Sequence, residues 1–142
     1  MRLTREATVT IRNAISFAAI AACSVLLPAY AHHSYAMFDQ CKPTALEGEI
    51  NNVEWVNPHI VIYMRTLDVA NYRVEWYSLG QLQREGIAAE TLQAGDRVII
   101  TGYAMRDPSV KVLSLLSQIR RPSDDWTWNH PGRRVPESCT TN

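Results

Sequence analysis

Trp55-Val56-Asn57-Pro58-His59-Ile60 is a corner between two strand-like runs, Leu46 to Val56 and Ile60 to Thr66. Proline fixes its own φ and keeps the preceding residue out of the helical region, so Asn57-Pro58 reads as a turn. Upstream of the corner, Leu46, Gly48 and Ile50 share one face of a strand, and Glu47 and Glu49 take the other. The phase then slips. Val53 and Trp55 carry the next apolar positions, which places a β-bulge at Asn51-Asn52. A long first strand with a glycine and a bulge is what a small barrel needs to bend.

Downstream, Ile60, Ile62 and Met64 alternate with His59, Val61, Tyr63 and Arg65 in a second strand. A third, Tyr72 to Tyr77, turns Tyr72, Val74 and Trp76 inward and Arg73, Glu75 and Tyr77 outward. Ser78-Leu79-Gly80-Gln81 has capping-box spacing, and Gly86 suits the end of a short helix. The turn Ala94-Gly95-Asp96 leads to a fourth strand, Arg97 to Met105, and Asp107-Pro108-Ser109 leads to a fifth, Val110 to Ile119. This order predicts an all-β fold: a five-stranded OB-like Greek-key barrel over residues 44–119, with one short helix between strands 3 and 4. Residues 32–43 form an amino-terminal arm. Residues 120–142, with Pro122, Pro131, Gly132 and Pro136, read as an irregular tail whose Trp126, Trp128 and His130 dock on the barrel or bind something.

The first 31 residues have the layout of a cleaved export signal: basic Arg2, Arg5 and Arg12, an apolar run from Ala14 to Pro28, and Ala29-Tyr30-Ala31 as the cleavage site. The run is shorter than the roughly 20 residues of a membrane span. Ile20-Ala21-Ala22-Cys23 offers a competing lipoprotein site at Cys23, but the residues after it are apolar where a polar tether is usual, so cleavage after Ala31 is preferred. The expected address is periplasmic or secreted, with no membrane span left after removal. The signal carries three of the 14 basic and one of the 14 acidic residues, which leaves 11 and 13. That net charge of about −2 gives no basic excess for nucleic acid. Cys41 and Cys139 remain as an even pair, and in an exported chain they are expected to form a disulfide.

Three histidines carry the sharpest chemistry. A chain beginning at His32 presents an α-amine and an imidazole on one residue, His33 adds a second imidazole, and His59 on the stiff corner offers a third. The α-amine reference pKa, near 7.7–8.0, lets a metal displace its proton near neutral pH. Nitrogen-rich sites of this kind favour Cu(II), then Ni(II) or Zn(II). Copper bound by His32, His33 and His59 is the first functional expectation. Its bland counterpart is a pair of solvated histidines and a turn histidine that bonds a carbonyl. The alternative is a metal-free module that binds a sugar chain, peptide or partner protein in the envelope over the outer face of strands 2 and 3, using Trp55, Tyr63, Arg65, Arg73 and Tyr77. No hydrolase elbow, zinc-protease helix, phosphate loop or dinucleotide fingerprint is present in the sequence, and the reading leans away from an enzyme. An oxidase built on histidine-bound copper stays open.

His32-His33-Ser34-Tyr35, Phe38-Asp39, the Trp55 to His59 corner, Leu92-Gln93-Ala94-Gly95-Asp96 and Arg106-Asp107 together resemble a family of small exported bacterial proteins classed as a domain of unknown function. The resemblance covers residues 32–119. It implies export and a small β-barrel, and it carries no activity. The Cys41/Cys139 pair and the tryptophan-bearing tail depart from the family pattern.

Overall fold

A computed structural model describes residues 35–130 and residue 139. A 3-10 turn, Tyr35–Met37, leads into β1 (Phe38–Glu54), then β2 (Val61–Thr66), β3 (Asn71–Glu75), helix α1 (Leu79–Arg84), β4 (Arg97–Met105), β5 (Val112–Arg121) and β6 (Trp126–Asn129). The sheet runs β3-β2-β1-β4-β5-β6. A short parallel pairing of β3 with β5, Arg73↔Val112 and Val74↔Leu113, closes the first five strands into a ring. The other pairings are antiparallel.

β1 makes this possible because it serves two partners, β4 along residues 38–49 and β2 along residues 48–54. Its register slips between Ile50 and Asn52, where the phase change in the sequence placed a bulge. A Cβ at Gly48 would collide with the Arg65 carbonyl, so the close approach of β1 to β2 requires glycine there. β5 carries a second irregularity, and Leu115 adopts φ +54° within it. Leu115 there leaves the interior and joins Phe38 and Tyr103 in a small separate cluster. Opposite it, a Cβ on Gly102 would sit 2.7 Å from the Ser114 carbonyl oxygen. The main core is built from the inward positions Ile50, Ile62, Met64, Val74, Ile100 and Leu116, all essentially inaccessible, with Leu82 of α1 buried among them.

Several boundaries differ from the sequence reading. β1 begins at Phe38, inside the expected arm. β2 begins at Val61, although the ladder continues through Ile60, which donates to the Tyr77 carbonyl at 3.1 Å and accepts from Trp76 at 2.8 Å. β3 ends at Glu75. Ser78 stands at the cap of α1 but makes no side-chain cap bond. Its carbonyl instead receives the Gln81 and Leu82 amides, each at 3.1 Å. Gly86 does take the left-handed conformation, at φ +76°. The expected irregular tail contains a sixth strand: Trp126–Asn129 pairs with residues 118–121 of β5.

The antiparallel order sorts the loops into two ends. Arg106 donates its amide to Met37 at 2.9 Å, and Arg73 donates its amide to Lys111 at 3.0 Å. The Tyr35–Met37 turn, the β2–β3 turn and the β4–β5 loop therefore share one end. The Trp55 to Ile60 corner and α1 occupy the other.

Candidate functional site

Tyr63 of β2 lies directly across from Arg73 of β3, and Glu54 and Glu75 both pair with Val61 beside them. All four polar side chains belong to the outer face. The Tyr63 hydroxyl donates to Glu54 Oε2 at 3.4 Å, and Arg73 forms an ion pair with Glu75. Desolvation opposes the charge on Arg73, but its bonds with Glu75 and Tyr63 outweigh that and hold its pKa above the ordinary arginine value. The group is a preformed patch of donors and acceptors.

Two residues further along β2 the face continues into a groove of about 330 Å³, lined by Glu47, Glu49, Arg65, Thr66, Leu67, Arg97 and Pro122 among others. Glu49 is paired with Arg65 on one side and Arg97 on the other, so three adjacent strands present an Arg-Glu-Arg row. At strand spacing, the row spans about 10 Å. Arg97 Nε stands 4.0 Å from Glu49 Oε2, with side chains 80% and 54% exposed, a pair water screens heavily. These charges stay available to a ligand. Patch and groove together form one polar track across β3, β2, β1 and β4.

The opposite face of the corner is aromatic. Asn57-Pro58 is a cis peptide. Trp55 packs 6.3 Å from Trp76, and Trp76 meets Trp128 edge-on at 5.3 Å. Tyr77 lies 5.7 Å from Trp128 and 4.8 Å from His130. Its hydroxyl donates to the Leu116 carbonyl at 3.2 Å. Trp76 is almost wholly buried, and its indole N–H has no hydrogen-bond partner among the described residues. The cluster fills the barrel end beside α1.

The residues singled out from the sequence therefore separate. Tyr63, Arg65 and Arg73 share the outer track. Trp55 and Tyr77 do not: Trp55 packs against the core, and Tyr77 reaches across the seam to β5. The strand ends at Glu75, so strict alternation stops before Tyr77. Missed in the sequence were Glu49 and Arg97, whose juxtaposition depends on pairing register. Their signal was the outward Glu47/Glu49 alternation. His59 is half-buried on the corner, at the end of the barrel opposite Tyr35–Met37. His32 and His33 lie outside the described residues, and among those described no three His, Cys, Asp or Glu side chains converge as a metal would require. Cys41 and Cys139 stand at disulfide distance, their Cα atoms 5.2 Å apart.

A model of a family of unknown function (DUF6152) matches residues 19–114. No curated protein and no solved structure matches the chain.

Proposed function

The chain belongs to that family of unknown function, DUF6152, and from this premise we propose that it is a binding module of the bacterial cell envelope, holding an extended sugar chain across the outer face of β3, β2, β1 and β4. The observation that carries this reading is the cross-strand pair Tyr63↔Arg73, bonded to Glu54 and Glu75 and continuous with the Arg65-Glu49-Arg97 groove. Alternating donors and acceptors around a phenol ring suit a polyhydroxylated chain, and OB barrels use this part of their sheet for oligosaccharides. The amino-terminal pattern and the cysteine pair support an exported address for this reading. The test is a screen of envelope glycans and peptides against wild type, Tyr63→Ala and Arg97→Ala. The expected result is glycan binding weakened about tenfold or more by either change, the loss of one or two hydrogen bonds to a charged or ring partner. Peptide binding with the same dependence would keep the site and replace the ligand. Binding insensitive to both changes would remove the site.

A second reading concerns the amino end itself. The amine and imidazoles of a chain beginning at His32 suit Cu(II) on their chemistry alone. We propose that such a site uses His32 and His33, with no contribution from His59 at the far end of the barrel. Metal analysis of protein verified to start at His32 tests it: retained copper, lost in His33→Ala and kept in His59→Ala, is the expected outcome.

A further inference from the structure

We propose that the groove between Arg65 and Arg97 holds an acidic sugar chain by its carboxylates, a specificity that rests on the glycan-binding reading above and narrows it. The charged residues lining the groove are two arginines and two glutamates, Arg65, Arg97, Glu47 and Glu49. Register sets Glu49 between the two arginines, so one carboxylate faces two guanidinium groups. Its contact with Arg97 is at 4.0 Å, too long for a hydrogen bond. Among the described residues the Arg65 side chain makes no ion pair or hydrogen bond. A guanidinium carries five N–H donors in a fixed fork. Two such forks beside one loosely held carboxylate leave donors for a ligand to fill.

Geometry and charge select the ligand group. Arg65 and Arg97 stand two strands apart, about 10 Å at their backbones. A pyranose ring spans about one strand spacing, so acidic groups on alternate sugars of an extended chain reach both forks. A carboxylate is planar and meets a guanidinium with two parallel hydrogen bonds. A sulfated or phosphorylated chain fits less well. The lining charges cancel, so the groove has no excess of positive charge to offer, and Glu47 and Glu49 repel a densely charged polymer.

The sugar between the two acidic stations meets β1. Glu47 and Glu49 lie two residues apart on one face of that strand, and their carboxylates accept hydrogen bonds from sugar hydroxyls. Exposed Leu67 and Pro122 also line the groove and offer apolar surface to the C–H face of a ring. Glu49 has a second effect. It attracts both guanidinium groups in the empty groove and so competes with an incoming carboxylate. Its neutralisation should therefore strengthen binding of an acidic chain.

The experiment is calorimetric titration of the protein with oligogalacturonate, with its methyl ester and with a sulfated chain of equal length. The ester keeps the sugar and removes the charge. Wild type is compared with Arg65→Gln, Arg97→Gln and Glu49→Gln, each shown by circular dichroism to be folded. Wild type is expected to bind the acid about tenfold more tightly than the ester, and either arginine change is expected to remove that preference. Glu49→Gln is expected to tighten binding of the acid about two- to fivefold. Equal binding of acid and ester, or preference for the ester, overturns this proposal and leaves the glycan site standing. Preference for the sulfated chain overturns the assignment to carboxylates. Capture of a neutral glycan alone in the envelope screen overturns the acidic specificity, and capture of no glycan overturns both readings.

Discussion

Trp128 Nε1 donates to Glu85 Oε2 at 2.7 Å, a bond that fastens β6 to the residue following α1. Through it the last strand becomes part of the barrel end, because the same indole meets Trp76 and Tyr77. Trp128→Ala is expected to lower unfolding free energy by about 3–5 kcal/mol, and Glu85→Ala by about 1–2 kcal/mol. Urea unfolding followed by tryptophan fluorescence measures both.

Gly102 faces the irregularity in β5, where a Cβ would press on the Ser114 carbonyl oxygen and on Leu116 Cδ2 at 2.8 Å. Both neighbours belong to packed strand, so neither yields cheaply. Gly102→Ala and Gly48→Ala are each expected to cost about 1–3 kcal/mol. Gly80→Ala, which meets nothing nearer than Arg84 Nη1 at 3.7 Å, is expected to be neutral or stabilising. Thermal melts of the three variants give the ranking.

The Cys41–Cys139 link closes a loop of 98 residues. In the chain-entropy model such a cross-link contributes at most about 4–5 kcal/mol. Reduction is therefore expected to lower the midpoint of denaturation without dissolving the barrel, whose sheet and core are complete by β6. Circular dichroism with and without reductant shows whether the strand signal persists.

Among the described residues, three carboxylates with lowered pKa contribute to stability on the acid side. Asp68 is held below the usual range first by its bond from Thr66, Asp107 by Ser109, and Asp124 by Arg121. A depressed folded pKa means that the unfolded chain binds protons first. The stability contributed is full above the ordinary aspartate pKa near 3.9 and is lost as pH falls through the lower folded values. The expected profile is flat from neutrality to about pH 5 and falls below about pH 4. All three are surface groups, so the fall is shallow. Denaturant midpoints measured across this range check it.

Val69→Asn should relieve the left-handed strain and raise stability by about 1 kcal/mol. Thermal melts of the variant against wild type measure it.

The elements legible in the sequence were those with local cause. The bulge at Asn51-Asn52, the Asn57-Pro58 corner, the glycine after α1 and the alternation of β2 all depend on a few neighbouring residues, and the structure has them where they were expected. β6 escaped because it is four residues long, flanked by turn formers, and stabilised by Glu85 and Tyr77 far away in the chain. Ser78 looked like a cap by spacing, yet the backbone carbonyl took the helix amides instead. The candidate site was half visible. Outward Tyr63 and Arg73 follow from period two, whereas Glu49 between Arg65 and Arg97 follows only from the register of three strands. Tyr77 was misplaced because period two was carried past the strand's last residue.

The ring is joined along β3 and β5 by only two residue pairs, while β1 and β4 share eight. Thermal breathing should therefore begin at that joint. Amide protons at Arg73 and Leu113 should exchange with deuterium sooner than those at Leu46 and Ile100. A barrel that unzips along one line can admit a strand from outside before it melts.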